Sequence, residues 1–226
     1  MRSAFAAGLL VASAAGGHAV SYRMATEPVF PAPARPVAPV VSPRWSTEDA
    51  RDAVGEADKV VAALGPLAGR TVADIGAGDG YYEGHLARAV GTSGSVVAED
   101  IDPATVAGLA QRVAPMKNVR AALGRPDDAR LPDAAIDVVL MVHMYHEIAQ
   151  PYALLWRLRA SLRPGGRVAI VDADRPTAQH GTPPRLLACE LAAVGFVRTS
   201  TRPVDDGIYL AVFDKRNAPR RIVACR

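Results

Sequence analysis

Hydrophobic and polar positions alternate between two periods along most of the chain. Short apolar runs of strand length recur at Thr71–Ile75, Ser95–Asp100, Val119–Leu123, Ile136–Met141 and Arg167–Asp172. Such runs predict buried strands. Between them, Tyr81–Val90 and Pro103–Ala114 have helical spacing, and Pro103 suits a first helical turn. Pro151 opens another helix whose Leu154, Leu155, Leu158 and Leu162 share one face, and Pro164-Gly165-Gly166 ends it. A last helix is predicted over Pro184–Val194, closed by Gly195. Phe196–Thr201 and Ile208–Asp214 flank the turn signal Asp205-Asp206-Gly207, which suits an antiparallel hairpin. Upstream, Ser46-Thr47-Glu48-Asp49 reads as a helix start with Ser46 as cap, and that helix should run unbroken to Leu64 before Gly65-Pro66.

Strands alternating with helices of this length predict an α/β domain. The expected architecture is a Rossmann-like, doubly wound, mostly parallel seven-stranded sheet ending in an antiparallel hairpin. Sheets of this class bind ligands beyond the carboxyl ends of their strands, where the strand order reverses. The loop after Ile75 is therefore the first place to look for a site.

Composition narrows the picture. The chain has 226 residues, 50% hydrophobic and 22% charged, which excludes a disordered, collagen-like or coiled-coil protein. A net charge of +3 leaves no nucleic-acid footprint, although the pI is near 9.1. The two cysteines, Cys189 and Cys225, are too few and too far apart in sequence for a disulfide framework or a zinc knuckle. Residues 1–19 resemble a secretory signal, with Arg2 ahead of an alanine-rich apolar stretch; the other reading starts the protein at Met24. Localisation thus divides between export and the cytoplasm. From 20 to 45 the chain is a proline-rich linker, either a spacer or a strap laid over the domain with Trp45 covering a ligand. Residues 46–215 form the domain, and the arginine-rich tail 216–226 is expected to be a solvated end.

Val72-Ala73-Asp74-Ile75-Gly76-Ala77-Gly78-Asp79-Gly80 ends a strand and opens a helix. Glycines at 76, 78 and 80 let backbone N–H groups approach an anionic ligand at a helix start. The loop is neither G-x-G-x-x-G nor a Walker loop. The second strand ends in Glu99-Asp100-Ile101-Asp102, and by register Asp100 is the acid that can accept from a ribose diol, while Glu99 points elsewhere. After the third strand, Asp127 or Asp128 could accept from an adenine amino group.

Taken together, these motifs make residues 70–214 resemble a class I S-adenosylmethionine-dependent methyltransferase of the small-molecule type. The likeness rests on Asp74-Ile75-Gly76-Ala77-Gly78-Asp79-Gly80, Asp100, Asp127-Asp128…Leu131-Pro132, Ile136-Asp137-Val138-Val139, Leu162-Arg163-Pro164-Gly165-Gly166-Arg167 and the terminal hairpin. It implies S-adenosylmethionine as cofactor, with Asp74, Gly76, Gly78 and Gly80 near its methionine portion, Asp100 on the ribose and Asp127 or Asp128 at the adenine. Arg125-Pro126 departs from the family's usual Gly-Asp-Ala run and leaves the choice between the two aspartates open.

Methyl transfer requires an acceptor held in line, and a base where the acceptor carries a proton. The fourth strand is followed by His143-Met144-Tyr145-His146-Glu147. His146 can serve as base, as a positioning group or as packing, with Glu147 or Tyr145 orienting it. His180, after the fifth strand, is a second group at the same rim. The spacing of His143, His146 and Glu147 matches no metalloprotease motif, so no metal is expected. The expected partner is a small-molecule acceptor. DNA is not expected, because the loop after the fourth strand lacks Asp/Asn-Pro-Pro-Tyr; RNA or protein methylation, and a cofactor-binding module without transfer, are the alternatives.

Overall fold

The computed structural model describes residues 27–40 and 47–225. The signal-like segment 1–19, Met24, Trp45 and Ser46 lie outside the described residues. Seven strands form one sheet in the order β3-β2-β1-β4-β5-β7-β6. They are β1 (Thr71–Ile75), β2 (Ser95–Asp100), β3 (Val119–Leu123), β4 (Ile136–Val142), β5 (Leu162–Ala173), β6 (Phe196–Asp205) and β7 (Ile208–Lys215). The first five run parallel, and β7 pairs antiparallel with both β5 and β6. The strand order reverses between β1 and β4, so the crevice of this sheet class opens there.

Among the described residues there are six α-helices: α1 (Glu48–Ala53), α2 (Glu56–Ala63), α3 (Glu83–Val90), α4 (Pro103–Val113), α5 (Pro151–Ser161) and α6 (Pro184–Ala193). Alternate side chains of a strand point to opposite faces, and the core divides accordingly. Val139, Met141, Val168 and Ile170 pack against Leu154, Leu155 and Leu158 of α5 and Leu187 and Leu191 of α6. Val138, Leu140, Ala169 and Val171 pack against Val60 of α2 and Leu86 and Val90 of α3. Prolines at the first position of α4, α5 and α6 remove no intrahelical hydrogen bond.

The structure corrects several expectations. The long first helix is two helices, because Gly55 takes a left-handed conformation at φ 63 and the chain turns there. Thr47 caps α1, its hydroxyl accepting from the Ala50 N–H at 3.2 Å. The strand Val119–Leu123 is not buried throughout: it is the sheet's edge, and Arg120 and Leu123 are exposed. β5 begins at Leu162 and runs through Pro164-Gly165-Gly166 instead of starting after them.

Cys189 and Cys225 form a disulfide across a separation of 36 residues, contrary to the expectation from their spacing. Spacing was the wrong criterion, because the return of the chain past β7 brings the two together. The segment expected to be a solvated tail is consequently fastened: Ile222 and Cys225 are buried, and the Cys225 N–H donates to the Tyr152 hydroxyl at 2.8 Å. Among the described residues no helix is long and apolar enough to cross a membrane.

Candidate active site

The carboxyl ends of β1, β2, β4 and β5 carry nearly all the side chains singled out above. Gly76, Gly78 and Gly80 have φ of 70, 58 and 88°, conformations that side chains disfavour. A Cβ at Gly80 would strike Leu109, whereas one at Gly78 would meet nothing within 4 Å. Gly80 therefore serves packing, and Gly78 forms the open wall of the crevice. Asp100 clasps this wall. One of its oxygens accepts from the Gly78 N–H at 3.1 Å and the other from the Asp102 N–H at 3.0 Å. The carboxylate is thereby oriented while remaining partly exposed.

Beneath the glycine turn lie three buried acids. Asp74 is 3% exposed and Glu83 fully buried. Burial first, and the facing Glu83 second, raise Asp74 well above the usual carboxylate range, while burial pushes Glu83 up to about 7. Two facing buried carboxyls cannot both ionise, so the pair retains a proton and stiffens the turn from below. Glu99 does not merely point elsewhere, as its register suggested: it is buried against Gly124, where any side chain would overlap its carboxyl. Its oxygens have no hydrogen-bond partner at bonding geometry among the described residues, although the Gly76 N–H faces them. Burial, followed by the Asp100 charge, pushes Glu99 up to about 8.

That shift has a measurable consequence. Between the unfolded value near 4.5 and the folded value near 8, the folded chain holds a proton that the unfolded chain has lost. Stability should therefore fall as pH rises through this window, and Glu83 acts in the same direction. Glu99→Gln should remove much of the slope, so that in urea unfolding the variant gains on the parent by about 1–3 kcal/mol between pH 5 and pH 9. Parallel stability curves for parent and variant would show that Glu99 is not desolvated as described.

The short 3-10 turn Tyr145–Glu147 follows β4. His146 is buried, and its Nδ1 lies 3.0 Å from one oxygen of Asp172, at the end of β5, and 3.2 Å from the other. Asp172 also accepts from the Ala173 N–H at 2.8 Å. A carboxylate only accepts, so in the neutral ring Nδ1 carries the hydrogen and Nε2 the lone pair. Asp172 is thus the orienting partner, and sequence reasoning missed it; the acid closing the apolar run Ala169-Ile170-Val171-Asp172 was the available signal. Tyr145 does not orient His146. It is buried in the core and donates to Glu190 at 2.8 Å. Glu147 stands on the Nε2 side, 3.9 Å away.

His143 departs from this group. Its Nε2 meets Glu56 at 3.0 Å, and Glu56 also accepts from Arg51 and from the Tyr82 hydroxyl. Burial would raise the Glu56 carboxyl, but His143 and then Arg51 outweigh it and hold it down to about 2. The cluster ties α2 to the start of α3 and to the loop after β4. Asp127 is turned onto Arg157 at 2.6 Å, and Asp128 accepts from the Arg130 N–H at 2.8 Å.

Residues 27–40 run across the same turns. The Arg35 side chain, 4% exposed, pairs with the fully buried Glu190 at 3.0 Å and also donates to the carbonyls of Tyr145 and His146. The Ala38 N–H donates to the His146 carbonyl at 3.1 Å, and the Thr177 hydroxyl to the Pro36 carbonyl at 2.8 Å. A surface hollow of about 930 Å³ lies elsewhere, lined by Trp156, Arg159, Pro164 and Lys215 near the amino end of β5. Its lining includes no acid or histidine, and ligands of such sheets bind at the opposite end.

The sheet order and glycine turn are those expected of a class I, Rossmann-like methyltransferase. Residues 72–166 match the family described as methyltransferase domain, which supports a class I S-adenosylmethionine-dependent methyltransferase. An uncharacterised methyltransferase of Mycobacterium tuberculosis is 32% identical over 126 residues, 55% of this chain and 61% of that relative. The arsenite methyltransferase of Halobacterium salinarum is 34% identical over 119 residues, 50% of this chain and 29% of that relative. The chain therefore spans less than two thirds of the length of these curated relatives. Among solved structures, an S-adenosylmethionine-dependent methyltransferase from Aquifex aeolicus superposes with a TM-score of 0.67 at 25% identity, over 72% of this chain and 91% of the other.

Proposed function

We propose that the protein transfers a methyl group from S-adenosylmethionine to a small-molecule acceptor. One observation carries the reading: at the switch point between β1 and β4, the Asp100–Gly78 clasp stands on one side of the crevice and the Asp172–His146 pair on the other.

The residues present fit the cofactor. Gly78 leaves an open backbone wall, Asp100 is already oriented by two N–H groups, and the buried Glu99 carboxyl, protonated at neutral pH, offers an O–H beside Gly124. Asp100 would accept from the ribose hydroxyls. The Gly76–Gly78 backbone would border the methionine portion, with Gly80 and Asp74 supporting the turn. Of the two aspartates after β3, Asp128 is the better placed for adenine, because its charge is felt at Glu99 while Asp127 is paired with Arg157. When bound, S-adenosylmethionine supplies an electrophilic methyl on a sulfonium sulfur that becomes a neutral thioether. The chain's task is to position the acceptor and exclude water, and His146 Nε2 can take a proton that the acceptor must lose. Asp172 holds the ring so that Nε2 faces Glu147, and Arg35 holds the turn carrying it.

The small-molecule reading is supported by relatives whose names include arsenite methyltransferase and demethylmenaquinone methyltransferase, and by the absence of Asp/Asn-Pro-Pro-Tyr after β4. The test is release of S-adenosylhomocysteine by the purified chain given S-adenosylmethionine and panels of phenols, quinols, thiols and arsenite. Release above the acceptor-free blank with one class is expected. Cofactor binding without release across all panels would favour a binding module instead.

A further inference from the structure

Beside the His146–Asp172 pair, donors from two successive strand ends converge. His146 Nε2 lies 3.9 Å from a Glu147 carboxylate oxygen, and His180 Nδ1 lies 4.0 Å from the same oxygen. One ligand atom from each of the three residues lies within 4.8 Å of the others. The two imidazoles meet edge to face, with ring centroids 5.4 Å apart. His146 and Glu147 belong to the turn after β4, whereas His180 follows the 3-10 turn Thr177–Gln179 after β5.

Two further features set this apart from a chance meeting of polar side chains. His180 holds a left-handed backbone at φ 56, a conformation costly for a residue with a side chain and concentrated at functional sites. On the far side of His146, Asp172 fixes the ring through Nδ1 and leaves Nε2 facing the cluster. A carboxylate behind an imidazole is the arrangement that orients a histidine ligand and raises its basicity toward a metal.

We propose that His146 Nε2, the Glu147 carboxylate and His180 Nδ1 bind a divalent first-row transition ion, zinc being the best match, with its remaining positions open to the acceptor. Two imidazoles and one carboxylate suit zinc and its neighbours, whereas calcium and magnesium prefer oxygen donors alone. Three protein ligands with an open position form a reactive type of site, unlike the closed four-ligand structural type. Around a tetrahedral zinc, ligands at about 2.0–2.1 Å stand about 3.3 Å apart. The separations of 3.9 and 4.0 Å, and a third within 4.8 Å, must therefore close by about 0.6–1.5 Å, a movement of side chains already gathered.

The ion's role, though not its existence, rests on the methyl-transfer reading. An acceptor hydroxyl or thiol on the open position is acidified by the ion and loses its proton to solvent, leaving an anionic oxygen or sulfur beside the methyl donor. In the loaded site the His146 lone pair belongs to the ion, which replaces the imidazole as the group that activates the acceptor. Acceptors bearing a hydroxyl or thiol are favoured over those presenting only carbon.

Zinc binding to the chelator-treated full chain can be measured by calorimetry, without reductant so that the Cys189–Cys225 disulfide keeps thiols out of the competition. One zinc per chain, with a dissociation constant in the micromolar range or tighter, is expected. His180→Ala and Glu147→Gln should each weaken it about 100-fold, and Asp172→Asn about 10–100-fold. His85→Ala, at a distant surface histidine paired with Asp58, should leave it unchanged. Cofactor affinity, measured alongside, controls for folding and should not move. Cobalt(II) on the unmutated chain gives a second readout: intense visible bands of four- or five-coordination support the site, and the weak spectrum of a six-coordinate ion overturns it. Absence of one-to-one binding, or binding indifferent to His180→Ala, would also overturn it. If zinc fails to bind while S-adenosylmethionine binds, this assignment falls and the methyl-transfer reading stands; the reverse result separates them the other way.

Discussion

His146→Ala is expected to lower the rate of methyl transfer by about 10²–10⁴-fold, the usual range for removing a group that handles the acceptor's proton. Cofactor affinity should stay within about twofold of the parent, since His146 stands across the crevice from Asp100 and the glycine turn. The loss follows whether Nε2 takes the proton itself or holds an ion that acidifies the acceptor, because both uses need the lone pair that Asp172 keeps in place. Asp172→Asn provides the companion measurement. An amide can donate to Nδ1, which would place the hydrogen on Nε2 and abolish the lone pair there. The variant should share most of the loss and change the shape of the pH–rate profile, which a purely structural defect would not do. Unchanged turnover in a folded His146→Ala protein would leave the residue a packing role only.

Asp100→Ala should act on the opposite half of the site. Its carboxylate is oriented by the Gly78 and Asp102 N–H groups yet remains partly exposed, so it presents a charged acceptor at little reorganisation cost. Hydrogen bonds to charged groups contribute about 1.5–3 kcal/mol, equivalent to about 10–150-fold in affinity. S-adenosylmethionine and S-adenosylhomocysteine should weaken equally, because both carry the same ribose, and turnover at saturating cofactor should change little. Asp100→Asn keeps one acceptor oxygen and should lose less. Equal affinity of parent and Asp100→Ala for both nucleosides would remove Asp100 from the ribose.

The sheet was legible because its punctuation is local. Pro103, Pro151 and Pro184 mark helix starts, Gly195 and Asp205-Asp206-Gly207 mark stops and turns, and the apolar runs between them have strand length. The break at Gly55 was not legible: one glycine in a helical pattern usually lowers helix stability without ending the helix. The exposure of β3 also escaped, because a run of Val, Ala and Leu reads alike at an edge and in the middle of a sheet.

At the site, the glycine turn and Asp100 could be placed from sequence, since each lies at the end of its own strand. What could not be read were meetings between distant segments. Asp172 reaches His146 across 26 residues, Arg35 reaches Glu190 across 155, and Cys189 reaches Cys225 across 36. No local periodicity encodes such pairs. The same limit concealed the convergence of His180 with His146 and Glu147, and the partnering of His143 with Glu56.

The central claim is that the crevice between β1 and β4 accommodates an adenosyl sulfur nucleoside. Isothermal titration of the purified chain with S-adenosylhomocysteine tests it most directly, since the ligand needs no acceptor and undergoes no turnover. A saturable one-to-one isotherm, weakened by Asp100→Ala and untouched by His146→Ala, is the predicted result. A folded chain that releases no heat with either S-adenosylhomocysteine or S-adenosylmethionine, and shows no thermal stabilisation by them, would contradict it.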